Sequence, residues 1–297
     1  MMMLINKICQ VGAVFGCVLF MLVLPMIAHA QPFADCQKMF AMGQPPAYSQ
    51  DKLTVQTVPL CFSGFAVMYS GVARTPLWSA EYLDRRRLTA AGKLERRDNF
   101  HAESRLPINK QATLADYKGS GYDRGHMAPN ADMATLTQQY ESFSLANITP
   151  QTPELNRYVW RDVESHTRYL TQKHGSAYVV TGVGYATANL TQINGRVLVP
   201  SHLFKAVYVP ELNQAAAYYA SNDASGRVVV VSLDELAMLT GIDAMPALDK
   251  AVKAQAMLLS LSNQHSDAQH DDMTAQDAPW WIIVITKVVR WLLHQLG

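Results

Sequence analysis

The chain has 297 residues, 49% of them hydrophobic and 16% charged, with a formal net charge of +1. That length is enough for one sizeable α/β or α+β domain plus appendages, and no internal repeat is visible. The near balance of charge excludes attraction of a polyanion by net charge, so any such attraction must be local.

Residues 1–30 read as a secretory signal. Lys7 is the one charged side chain before residue 35, an apolar run from Val11 to Leu24 follows it, and Ala28 and Ala30 suit cleavage before Gln31. An uncleaved membrane anchor is the alternative. A lipoprotein signal ending at Cys17 fits less well, because Phe15 suits that box poorly and the apolar run continues past the cysteine. Export would leave the protein periplasmic or secreted, with Cys36 and Cys61 as its two cysteines. Such a pair suggests a disulfide closing the N-terminal arm, with two reduced buried thiols as the alternative.

Residues 36–60 are rich in loop formers, with Gly43, Pro45, Pro46 and Pro59. Phe62 to Ser70 reads as a strand, and residues 84–99 as a charged, exposed stretch. Arg85, Arg86, Arg87, Lys93, Arg96 and Arg97 lie in this stretch and are the candidates for local positive charge. Residues 101–122 show no period and read as a loop.

The run from Asp116 to Met133, DYKGSGYDRGHMAPNADM, is the most informative. It gathers Asp123, Arg124 and His126 within four positions, with Gly119, Gly121 and Gly125 around them. A glycine beside a histidine lets backbone approach a ligand closely. The imidazole can act as a base near neutral pH, and arginine offers a planar fork suited to phosphate. DRGH is expected on a short strand.

Ala134 to Ser142 reads as a polar helix, and Pro150 to Gly175 as a long one, with Thr152 as cap and Gly175 just past its end. Leu155, Val159, Val163 and Leu170 form its apolar stripe. Asn156, Trp160, Glu164 and Arg168 form a second stripe along one rim, where Glu164 and Arg168 also read as an ordinary i,i+4 ion pair. Ala177–Val183, Arg196–Pro200, Leu203–Val209, Gln214–Ala220 and Val228–Ser232 read as strands of a mixed or antiparallel sheet. Ser232 and Glu235 fit a capping box, and Gly241 the end of the helix it opens. Asp249 to Leu261 reads as helical and Ser262 to Pro279 as an acidic linker. The segment 280–297 reads as an amphipathic helix lying on a membrane surface, or else folded back on the core or used in self-association.

DRGH, then LANITPQ from Leu145 to Gln151, then N-R-x-x-W-x-x-x-E from Asn156 to Glu164, resembles the DNA/RNA non-specific endonuclease family. The resemblance covers roughly Cys36 to Leu248. It implies an α+β fold with a ββα-metal core, its central mixed or antiparallel sheet flanked by helices. The expected division is a signal at 1–30, the endonuclease domain at 31–248, a helix and linker at 249–279 and the amphipathic helix at 280–297.

The resemblance also implies a single Mg²⁺, with Mn²⁺ as a substitute, held by Asn156 and otherwise by water. His126 would deprotonate the attacking water. Glu164 and Asp123 would orient water on the metal, and Asn147 would support the site. In the family an arginine shortly before an aromatic contacts the scissile phosphate. Ahead of Asn99-Phe100, spacing favours Arg97, with Arg96 as runner-up. Arg97, Arg124 and Arg168 would neutralise phosphate charge. Substrates would be DNA and RNA, and a homodimer is expected by analogy. Met127 and Asn130 depart from the residues the family often carries after DRGH. The rival readings are a non-cleaving nucleic-acid-binding protein on the same fold, a phosphodiesterase for small diesters, and a membrane-attached structural protein.

Overall fold

The computed structural model describes residues 32–186 and 190–259. The expected signal peptide, the acidic linker and the helix at 280–297 lie outside the described residues. Among the described residues no helix is long and apolar enough to cross a membrane.

The core is a seven-stranded sheet whose pairings are all antiparallel. In chain order the strands of four or more residues are β1 Thr57–Cys61, β2 Ala66–Ser70, β3 Thr75–Asp84, β4 Asp123–His126, β5 Ile148–Gln151, β6 Ser176–Gly184, β7 His202–Val209, β8 Gln214–Ser221 and β9 Val228–Val231. The sheet runs β9-β8-β7-β6-β3-β2-β1, while β4 and β5 pair separately. The predicted strands after residue 176 are all present, although Arg196–Pro200 shrinks to Val197–Leu198.

Alternation along the strands splits the sheet into two faces. On one, Trp78 is packed by Phe33 and Phe40, with ring centroids 5.2 and 5.9 Å away. These two phenylalanines come from the N-terminal arm, which the Cys36–Cys61 disulfide ties to β1. On the other face, Ser79, Thr181 and Lys205 share one register row across β3, β6 and β7.

Among the described residues, four α-helices are seven residues or longer: α1 Arg85–Ala91, α2 Leu136–Ser142, α3 Trp160–His174 and α4 Leu233–Thr240. The Ser232–Glu235 capping box opens α4, and Gly241 ends it in the left-handed region. Gly175 follows α3 at φ +93°, a conformation that would strain a residue with a Cβ.

Several expectations are corrected. The loop-rich stretch 36–60 runs into β1 at Thr57–Cys61. Its Pro59 lies on the outermost strand, where a missing N–H costs no ladder bond. The stretch 84–99 contains α1, capped by Asp84, whose side chain accepts from the Arg87 N–H at 2.7 Å. Residues 101–122 contain a helical turn, Leu114–Tyr117, opened by a Thr113–Asp116 capping box. Pro150 and Gln151 belong to β5 rather than to the long helix. The expected helix from Asp249 covers Lys250–Ala254 among the described residues.

The charge run at 85–87 is structural at two of its three positions. The Arg87 guanidinium donates to the carbonyls of Asp132, Gly64 and Tyr82 and pairs with Glu81. Arg85 donates to the carbonyls of Gln172 and Lys173, satisfying the last turn of α3.

Candidate active site

Strands β4 and β5 pair antiparallel from Asp123↔Gln151 to His126↔Ile148, and the long helix follows at once. Two strands and a helix thus bring DRGH and Asn156 together. The first residues of that helix form a π-turn, Leu155–Val159, in which the Trp160 N–H bonds back to the Leu155 carbonyl. A π-turn holds one residue more than an α-turn, and such bulges concentrate at functional sites. It rotates Trp160 off the predicted rim: Trp160 is 1% exposed, packed in the core, while Asn156 faces outward.

The Asn156 carboxamide is oriented by the strand beside it. Its Nδ2 donates to Asp123 Oδ2 at 3.0 Å. Arg157 clamps both oxygens of the same carboxylate, at 2.8 and 2.7 Å. These bonds hold the Asp123 carboxyl below its usual range, Arg157 first and Asn156 next, against the effect of burial. The amide donor of Asn156 is therefore fixed on Asp123, and its oxygen is left for another partner.

His126 sits on β4 between aromatic rings, 5.5 Å from Phe100 and 5.0 Å from Phe143 by centroid. Its Nε2 is buried with no hydrogen-bond partner among the described residues. Burial, with the guanidiniums of Arg96 and Arg124, pushes the imidazole down to about 3 against an opposing pull from Asp98. The ring is neutral at pH 7.

A cavity of about 560 Å³ collects these groups. His126, Asn156, Glu164, Arg96, Arg124 and Asn130 all line it. A second cavity, of about 510 Å³, lies across Arg96, Arg124 and Asn156, which line both, and adds Phe100, Tyr117 and Tyr122. Arg124 lies over the Phe100 ring at 4.1 Å, and Arg96 over Phe143 at 5.4 Å with Asp98 at 2.6 Å.

Not every expected residue reaches the cavity. Arg97 is exposed, its backbone N–H donates to Gln139, and it lines neither cavity; Arg96 takes that place. Arg168 turns to Asp132 Oδ1 at 3.2 Å and Ser165 Oγ at 3.1 Å, and forms no ion pair with Glu164. Asn147, expected to support the site, is 0% exposed and lies inside the core, out of reach of a substrate. Its Oδ1 accepts from the Ala128 N–H and Ser79 Oγ, and its Nδ2 donates to the carbonyls of Ala128 and Ser142. It braces the chain just past His126 from beneath. Gly125 also has a different reason from the expected one: a Cβ there would meet the Gln151 side chain at 2.1 Å, so the space is filled by the neighbouring strand and not by a ligand.

Glu164 lines the cavity and lies on a cluster of buried charge. Burial raises its carboxyl to about 7, with Lys205, Arg168 and Arg96 pulling down and Asp132 pushing up. Sequence reading missed Arg157, Asp132, Glu81 and Lys205. Helical spacing could have flagged Arg157 beside Asn156, but nothing local marks the other three.

Among the described residues no group of three or more His, Cys, Asp or Glu side chains is placed to hold a metal. A multi-carboxylate cage is therefore not what these residues offer. One carboxamide oxygen beside a polar cavity fits a divalent cation that keeps most of its water.

Residues 44–251 match the family described as DNA/RNA non-specific endonuclease. A nuclease of Nostoc sp. is 30% identical over 252 residues, covering 78% of this chain and 89% of that protein. Human mitochondrial endonuclease G is 32% identical over 157 residues, covering 48% of this chain and 52% of its own. A chain in the crystal structure of the EndoG/EndoGI complex superposes with a TM-score of 0.57 at 24% identity, over 62% of this chain and 84% of that one, a likeness of fold.

Proposed function

The chain belongs to the DNA/RNA non-specific endonuclease family and is an endonuclease, and on that premise we propose that it hydrolyses phosphodiester bonds in both DNA and RNA with Mg²⁺, His126 acting as general base and Asn156 as the protein ligand of the metal. One observation carries the assignment. A carboxamide whose donor is fixed on Asp123 and an imidazole nitrogen without a partner border one cavity, with two arginines between them and a second cavity.

In this reading the neutral His126 accepts a proton from the attacking water on Nε2. Arg96 and Arg124 bind the phosphate and neutralise its charge. Glu164, when ionised, accepts hydrogen bonds from water in the cavity, and Asp123 keeps the oxygen of Asn156 turned outward. A divalent ion held by Asn156 would supply Lewis-acid charge to the reacting phosphate. Arginine forks address the backbone and not base edges, so little sequence preference follows, and binding weakens steeply with salt.

Export through residues 1–30 to the periplasm or medium is supported by the Cys36–Cys61 disulfide, since such bonds persist in oxidising compartments. The test of the function is a comparison of cleavage rates on duplex DNA, single-stranded RNA and a small chromogenic diester, with Mg²⁺ titrated against a chelator. Comparable metal-dependent cutting of both polymers supports the reading. Activity confined to the small diester, or persisting in excess chelator, contradicts it.

A further inference from the structure

Where α1, α3 and the turn after DRGH meet the sheet, six ionisable groups act on one another. Three are acidic, namely Glu81 on β3, Asp132 in the turn after DRGH and Glu164 on α3. Three are basic, namely Arg87 on α1, Arg168 on α3 and Lys205 on β7. Four of the six are accounted for in pairs. Arg87 is 3.2 Å from Glu81, with its remaining donors on backbone carbonyls, and Arg168 is 3.2 Å from Asp132. That leaves one acid and one base. Among the described residues neither Glu164 nor Lys205 has an ion-pair partner within 4.0 Å.

Lys205 is 1% exposed. Its Nζ donates to Thr181 Oγ1 at 2.5 Å and lies 5.7 Å from the centroid of the Trp160 ring. Its neighbours across the register are Thr181 and Tyr218, and the Tyr218 hydroxyl is bonded to His166 of α3. None of these is an anion. An ammonium buried with one hydroxyl and one aromatic face is costly unless an opposite charge lies within reach of its field. The field of Lys205 reaches two carboxyls, Glu81 and Glu164. Glu81 already has Arg87 at 3.2 Å, whereas Glu164 lies one helical turn beyond Trp160 and opens to the cavity. The other charged groups acting on Glu164 are Arg168, Asp132, Arg96 and, 3.2 Å from Arg87, Glu81. The first two neutralise each other, and Arg96 is exposed and faces Asp98.

Resting on the role given to Glu164 above, we infer that Lys205 is a positioning residue for the reaction: its buried ammonium is the counter-charge that keeps the Glu164 carboxylate ionised, and so able to accept hydrogen bonds from water in the cavity. Lys205 touches neither substrate nor metal in this scheme. It acts through the charge of Glu164 alone.

The test uses the full chain, metal-free in chelator, with glutamate labelled in its carboxyl carbon. The Glu164 resonance is identified by its loss in Glu164→Gln, and its titration is followed by NMR in wild type, Lys205→Met and Lys205→Arg. The Glu164 midpoint is expected to rise by about one pH unit or more in Lys205→Met, the scale of losing a nearby opposite charge. Lys205→Arg, which keeps the charge, is expected to leave it near wild type. The acid limb of the nicking profile moves by the same amount and in the same direction. A Glu164 midpoint unchanged in Lys205→Met overturns the inference. If that variant does not fold by circular dichroism, Lys205→Gln, which keeps a donor for Thr181, is measured and judged the same way. The two levels separate cleanly. Wild-type cleavage by Glu164→Gln removes the role of Glu164, whereas impaired Glu164→Gln with an unmoved midpoint in Lys205→Met removes the role of Lys205 alone.

Discussion

The side-chain amide of Asn156 donates to Asp123 Oδ2 at 3.0 Å, across the gap between the π-turn and β4. That bond decides which end of the carboxamide faces the cavity, and Arg157 fixes the carboxylate that makes it. Replacing Asp123 with alanine frees the carboxamide to rotate. The Mg²⁺ concentration giving half-maximal cleavage should then rise about 10- to 100-fold, with a smaller loss at saturating metal, because the partner that orients a ligand governs affinity first. A metal titration of the nicking rate reads both quantities.

The neighbouring arginines should behave very differently. Arg96 lines both cavities, and Arg97 lines neither. Arg96→Ala is expected to cost about 100-fold or more in kcat, as loss of a donor to developing charge does, while Arg97→Ala stays within about tenfold of wild type. Steady-state rates on plasmid substrate at fixed ionic strength distinguish them.

This pair also shows where sequence reading stops. Order and spacing of DRGH, LANITPQ and the Asn156–Glu164 run were enough to anticipate the strand, the helix and the family. They could not choose between adjacent arginines, because side-chain direction in an irregular stretch follows tertiary contacts such as the Arg96–Phe143 stacking. Trp160 was misplaced for a related reason: a 100° period assumes an unbroken α-helix, and the π-turn breaks it with no signature in composition. Asn147 lies fully buried beneath the chain that follows His126, which its motif does not announce, since burial is a property of the fold. The clustering of Glu81, Asp132, Glu164 and Lys205 brings together four distant segments, which no local pattern can announce.

The pH dependence should belong to Glu164. His126 is pushed down to about 3, so its charge does not change through the neutral range, whereas Glu164 is raised to about 7. The acid limb of kcat in wild type is therefore expected near pH 7 and is absent in the residual activity of Glu164→Gln. Stability gives the sign independently. A carboxyl raised from 4.5 to about 7 on folding binds its proton more tightly in the native state, so the stability it lends is full below pH 4.5 and lost as pH rises through 7. Metal-free Glu164→Gln should thus be more stable than wild type at pH 8, by about 1–3 kcal/mol, with the difference shrinking towards pH 5. Thermal melts in chelator at the two pH values measure it.

The disulfide should matter to stability and not to chemistry. Cys36 and Cys61 are 25 positions apart, and the arm they tie packs on Trp78, on the sheet face away from the Ser79–Thr181–Lys205 row under α3. Cys36→Ser with Cys61→Ser should lower stability by about 3 kcal/mol in the chain-entropy view, visible as an earlier denaturation midpoint. Specific activity of the folded fraction at 25 °C should be unchanged.

The central claim is that the imidazole of His126 takes the proton in a cavity it shares with Asn156. It is tested most directly by the plasmid-nicking rate of His126→Ala at saturating Mg²⁺ against wild type. The expected result is a fall of about 10²–10⁴-fold with folding intact by circular dichroism. Nicking by His126→Ala at the wild-type rate would contradict the account.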